Sequence, residues 1–123
     1  MKGLLLLLAL PLAACATLPS SAAGPTATLG QQADVDGIRV RPFKVLEDSR
    51  CPINARCVWA GRIIVRSAVA GGSWRRTLDL ELGKPLQVAD GQLTLVAAEP
   101  GNMAGAATEP RAYRFTFAFQ GGI

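Results

Sequence analysis

The sequence predicts an all-β domain, an antiparallel sandwich or small barrel of six or seven strands with one short-range disulfide. Three observations predict it. Apolar and polar residues alternate with period two over most of the chain, and almost nothing has helical period. The turn dipeptides Asp36-Gly37, Gly71-Gly72 and Asp90-Gly91 each lie between alternating segments. Near the C-terminus Tyr113, Phe115, Phe117 and Phe119 alternate with Ala112, Arg114, Thr116 and Ala118, so four aromatics share one face as a core wall.

The elements follow in chain order. Strands near 27–35 and 38–46 pair about Asp36-Gly37, which sets Val35 against Ile38, Ala33 against Val40, and Asp34 against Arg39 on the other side. Ile38 and Val40 share a face that Phe43 does not. Pro42 stands between them and cannot donate to a ladder, which predicts a bulge or an edge position near Pro42 that turns Phe43 inward. Strands near 61–70 and 74–82 pair about Gly71-Gly72. Val69 then faces Trp74, Val65 faces Leu78 and Ile63 faces Leu80, while Arg62 lies beside Glu81 and Arg66 beside Thr77. Strands near 85–89 and 92–98 pair about Asp90-Gly91, with Val88 against Leu93 and Leu86 against Leu95. Residues 100–110 (PGNMAGAATEP) form a long small-residue connection, read as a mobile loop or a crossover between sheets. The last strand spans about 111–119.

The N-terminus reads as an address. Lys2 precedes an apolar run from Gly3 to Leu12, too short for a bilayer-spanning helix and suited to a signal peptide. The run ends in Leu12-Ala13-Ala14-Cys15, which resembles the lipobox of bacterial lipoproteins. Cleavage before Cys15 would leave its thiol joined to diacylglycerol. Ala14-Cys15-Ala16 also fits ordinary signal peptidase, with cleavage after Ala16. Parity favours lipidation. Three cysteines in a secreted chain leave one over, and Cys51 and Cys57 are the close pair. The expected division is a signal peptide at 1–14, a lipidated flexible tether at 15–26 rich in Ala, Ser, Pro and Gly, and a β domain at 27–123. Ala16 after the cysteine suggests, by analogy with Gram-negative sorting, the periplasmic face of the outer membrane.

Residues 47–61 read E-D-S-R-C-P-I-N-A-R-C-V-W-A-G. In an oxidising compartment a Cys51–Cys57 disulfide is the default. It closes a loop of seven residues, worth about 2 kcal/mol by chain entropy. Trp59, two residues beyond Cys57, is expected to pack on the disulfide and cap the core. Asp48 and Ser49 suit the turn, and Arg50 can pair with Glu47 or Asp48 or reach carbonyls. The clip is read first as a structural brace joining two strands. It is read second as a binding loop that displays Asp48, Ser49, Arg50, Asn54, Arg56 and Trp59 to a partner. The motif resembles one in small uncharacterised bacterial envelope lipoproteins, where D-S-R-C-P precedes a second cysteine and W-A-G. That resemblance implies a β domain and an envelope address, and no mechanism.

Charge and composition narrow the function. The chain of 123 residues carries 13 basic and 9 acidic side chains, a net +4 that falls by one when Lys2 leaves. The ten arginines are scattered, which does not argue for nucleic acid. There is no histidine, so histidine-based triads and the commonest metal ligand are excluded. No cofactor and no metal site is expected. Glu47, Asp48, Asp79 and Glu81 are the carboxylates a hydrolase would use. The leading expectation is a non-enzymatic envelope module held to the membrane by lipid on Cys15, with an envelope protein or peptidoglycan as partner. The alternative is an inhibitor or binder of a secreted enzyme acting through loop 49–57.

Overall fold

Among the described residues the period-two alternation resolves into eight strands. The computed structural model describes residues 24–121, together with Gly3. The signal segment beyond Gly3, Cys15 and most of the tether lie outside the described residues. The strands are β1 (Thr26–Ala27), β2 (Ala33–Val35), β3 (Ile38–Asp48), β4 (Ile63–Ala70), β5 (Arg75–Glu81), β6 (Leu86–Val88), β7 (Gly91–Glu99) and β8 (Arg114–Gly121). They form two four-stranded antiparallel sheets, ordered β1-β8-β7-β6 and β2-β3-β4-β5. The sheets pack face to face as a sandwich. Val35, Val40, Val65 and Leu80 from one sheet and Leu93, Leu95, Phe115 and Phe117 from the other are all buried in the core.

The segment read as one strand over 27–35 is two. A turn at 28–31, closed by the Gln31 N–H donating to the Thr28 carbonyl at 3.0 Å, carries the chain from one sheet to the other. Gly24 to Thr26, read as the end of the tether, lie along β8, where the Phe117 N–H donates to the Pro25 carbonyl at 3.0 Å.

The three hairpins differ in how their turns form. Asp36 and Gly37 take φ of 48° and 92°, and the register around them is the one predicted: Val35 with Ile38, Asp34 with Arg39, Ala33 with Val40. The β4–β5 loop is longer than two residues. Ala70 pairs with Arg75, the Gly71 N–H donates to the Trp74 carbonyl at 3.1 Å, and the Trp74 indole packs over Gly71. Val65 therefore faces Leu80, and Arg66 faces Asp79 instead of Thr77. In the β6–β7 hairpin the turn residues are Ala89 and Asp90, Gly91 belongs to the strand, and Leu86 faces Leu93. Both registers move by two residues. An even slip returns every side chain to the same face, so the core is unchanged.

The bulge at Pro42 is present, as a break in register between Pro42 and Lys44, but it works differently from expectation. Pro42 itself is buried, Val45 takes the next inward place, and Phe43 is 43% exposed. A second break falls between Val45 and Glu47. Residues 100–113 link β7 to β8, which are neighbours in one sheet, so this is a long hairpin connection and no crossover. It ends in a 3-10 turn at Pro110–Ala112.

Candidate functional site

The clip is the connection between β3 and β4, and its parts lock in sequence. Asp48 ends β3. The Ser49 N–H donates to the Arg62 carbonyl at 2.8 Å, and the Cys51 N–H donates to the Ala60 carbonyl at 2.9 Å, so the two arms of the loop run side by side. Cys51 and Cys57 are bonded, with Cα atoms 5.9 Å apart. Gly61 holds φ at +72°, and a Cβ there would lie 1.8 Å from the Ser49 carbonyl oxygen. The glycine of W-A-G is thus required twice, by its backbone conformation and by the crossing of the opposite arm.

Below the loop lies a polar network. Arg50 does not face solvent. Its side chain is 14% exposed, and that of Asp48 is 10% exposed. Arg50 Nε donates to Asp48 Oδ1 at 2.8 Å and Nη2 donates to Oδ2 at 2.9 Å, a bidentate pair. The same guanidinium donates to the carbonyls of Ala98 at 2.9 Å and Pro100 at 3.0 Å. Asn102 Nδ2 donates to Asp48 Oδ1 at 2.9 Å and to the Arg50 carbonyl at 3.0 Å, and the Tyr113 hydroxyl donates to Asp48 Oδ2 at 2.8 Å. Burial pushes the Asp48 carboxyl up, but the hydrogen bonds from Arg50, Tyr113 and Asn102 outweigh it and hold the group at about 2. Burial and the bond to Asp48 together raise the Tyr113 phenol. The bond to Asp48 raises Arg50 further, so the pair is ionised at any ordinary pH.

This network joins the two sheets at one end of the sandwich. Asp48 and Arg50 leave the β2–β5 sheet, while Ala98 lies on β7 and Pro100, Asn102 and Tyr113 belong to the β7–β8 connection. Two further bonds tie that connection to the clip. The Ile53 N–H donates to the Asn102 carbonyl at 2.9 Å, and the Ala104 N–H donates to Asn54 Oδ1 at 2.8 Å. A shallow cleft of about 420 Å³ lies beside the network, lined in part by Asp48, Arg50, Asn102, Thr108 and Tyr113. Asp48 already accepts four hydrogen bonds, two on each oxygen, which fills its lone-pair sites. Here the carboxylate is a charged strut with no capacity left for a substrate proton.

The other carboxylates considered for chemistry lie apart from it. Glu47 pairs with Arg62, Asp79 pairs with Arg66 at 2.9 Å, and Glu81 pairs with Lys84 at 3.3 Å. Among the described residues no three acidic or cysteine side chains gather as a metal site.

Of the residues expected on the binding loop, Arg50 and Asp48 turn into the network and Ser49 bonds the facing strand arm. Asn54 holds the 100–113 connection. Arg56 is exposed and forms no ion pair among the described residues. Trp59 does not cap the core. It is 62% exposed. Ile53 is 74% exposed, and Val58 and Met103 are also in water. Asn102 and the Tyr113 hydroxyl were not legible as site residues. The one signal was that a tyrosine on a buried aromatic face needs a partner for its phenol.

Compared with known proteins, the chain matches no family model, no curated protein and no solved structure.

Proposed function

We propose that this chain is a lipid-anchored module of the cell envelope, and that it recognises a neighbouring protein through the outer rim of the disulfide loop. One observation carries this reading. The loop is braced from beneath by the disulfide and the Asp48–Arg50–Asn102–Tyr113 network, yet its rim presents Ile53, Val58 and Trp59 to water. Bracing a loop removes much of the ordering cost of binding. Exposed apolar side chains on such a loop mark an interaction site, and tryptophan is prominent among binding hot spots. Aliphatic Ile53 and Val58 suit an apolar pocket on a protein better than a glycan strand. The anchor is the lipid expected on Cys15, read from the lipobox resemblance and the odd cysteine.

A photo-crosslinking residue in place of Val58 in the lipidated chain tests the loop in intact envelopes. A discrete protein adduct that disappears with Trp59→Ala is the expected result. Adducts only to peptidoglycan, or none, overturn it. Palmitate labelling that survives Cys15→Ser overturns the anchor.

The same bracing favours a narrower form of the reading, in which the rim inhibits a secreted enzyme. A soluble Cys15→Ser chain assayed against secreted proteases and lysozymes decides it, and inhibition of none removes it.

A further inference from the structure

The outer face of the β2–β5 sheet is divided by charge. Toward the clip, three basic residues are matched by acids, Arg62 with Glu47, Arg66 with Asp79 and Lys84 with Glu81, and Lys44 beside Arg66 is left unmatched among the described residues. At the other end Arg39, Arg41 and Arg75 surround Ala68 and Ala70. All three arginines are exposed, and none forms an ion pair or side-chain hydrogen bond among the described residues. The register builds a trough. Arg39 and Arg41 on β3 lie beside Ala70 and Ala68 on β4, which lie in turn beside Arg75 and Thr77 on β5. Two basic walls thus stand about 10 Å apart across a floor of methyl groups, two strand spacings. The trough encloses about 430 Å³ and is open along the sheet. Asp34 faces Arg39 across the β2–β3 ladder and Asp36 lies in the adjacent turn, but neither closes an ion pair, and the basic excess remains.

Like charges gathered at one end of a face that is elsewhere mostly neutralised call for an anion from outside. Guanidinium groups match phosphate oxygens in a planar fork. A wide, shallow trough fits a surface of phosphates better than one enclosed ion. The entry of the chain selects the surface. Tyr113 at the start of β8 bonds Asp48, so β8 runs away from the clip, and β1 pairs antiparallel to it. Followed upstream from Ala27, the chain therefore leaves toward the end that carries the trough. Eight residues lie between Cys15 and Gly24, nine peptide steps with a reach of at most about 30 Å.

We propose that the trough formed by Arg39, Arg41 and Arg75 docks on the phosphate headgroups of the anionic membrane to which the chain is anchored. This rests on the anchor of the preceding reading. Docking holds the trough end at the membrane and the clip away from it.

The test uses the mature chain from Ala16 onward, so that neither lipid nor the apolar signal segment contributes, and co-sedimentation with vesicles. The chain partitions onto phosphatidylglycerol-containing vesicles and not onto pure phosphatidylcholine. Each basic side chain at such a surface is worth roughly fivefold, so Arg41→Gln with Arg75→Gln lowers partitioning on the order of thirtyfold. Arg56→Gln with Arg111→Gln removes equal charge elsewhere and changes it less than about threefold. Circular dichroism and melting confirm that both double variants are folded. Equal losses in the two variants, equal binding to neutral vesicles, or release by millimolar inorganic phosphate overturns the proposal. The Val58 crosslink in the lipidated Arg41→Gln/Arg75→Gln chain reads the clip separately. Its persistence alongside lost vesicle binding supports both readings, and loss of the crosslink in the unsubstituted chain sinks only the first.

Discussion

The two ends of the β2–β5 sheet use the same side chain in opposite ways. At the clip, the Arg50 side chain is largely enclosed and donates to a carboxylate and two carbonyls. At the far end, Arg39, Arg41 and Arg75 are exposed and unmatched. The difference teaches where pairing is compulsory. A charge withdrawn from water without partners costs several kcal/mol, so the clip holds its arginine with four directed hydrogen bonds. A solvated arginine carries no such demand and can await a partner. The clip end is therefore where substitutions unfold the protein, and the trough end is where they leave the fold alone.

The largest loss comes from the backbone of the clip. In Gly61→Ala the new methyl meets the Ser49 carbonyl at 1.8 Å, backbone against backbone, at φ +72°. A destabilisation of about 3 kcal/mol or more is expected, a fall of roughly 15 °C in melting temperature for a domain of this size. An unchanged melt would show that the two arms can separate freely.

Next is the strut itself. Asp48→Asn leaves the largely enclosed Arg50 beside a neutral amide and is expected to cost about 3 kcal/mol in urea unfolding. The matched change at the other end, Arg39→Gln, leaves the urea midpoint where it was. If the two variants melt alike, the contrast between the ends is wrong.

Acid should find the same group. The folded Asp48 carboxyl is held at about 2, below its ordinary 3.8. A depressed carboxyl stabilises the fold above its unfolded value. That contribution, about 2 kcal/mol, is lost as pH falls from about 4 through 2. Asp48→Asn should flatten the stability profile in this window. Removal of the disulfide by Cys51→Ser with Cys57→Ser is expected to cost about 2 kcal/mol and to leave that acid slope in place, because the network lies beneath the loop.

Much of the fold was legible, for a reason the hairpins make plain. Alternation has period two, so Val65, Leu80, Leu93 and Phe117 were assigned to the core although two registers slipped by two. Turn length was not legible, because Gly71-Gly72 gives no hint that the Trp74 indole folds back over it. The bulge at Pro42 was legible from a missing N–H. Its direction was not, since burying Pro42 or Phe43 satisfies the same pattern. The disulfide was legible from spacing. The network was not, because Asp48, Asn102 and Tyr113 are 54 and 65 residues apart along the chain and meet only when the sheets pack. Trp59 misled for a related reason. A large aromatic near a disulfide reads as core when nothing shows that Tyr113 already closes that end.

The smallest effect isolates burial from chemistry. Asp79 and Arg66 repeat the Asp48–Arg50 pairing, with Nε to Oδ1 at 2.9 Å, but on the outer face of the sheet. The Arg66 guanidinium lowers the Asp79 carboxyl, and the carboxylate raises the guanidinium in turn. Water screens both, and the second bond is long, at 3.4 Å. Asp79→Asn should therefore leave the melting temperature and the acid profile unchanged within reproducibility, while removing one acid from the neutralised half of the face. If it melts as low as Asp48→Asn, proximity of opposite charges outweighs burial in this fold. The unmatched arginines at the other end would then be a cost to stability, and neutralising them should raise the melt with no membrane present.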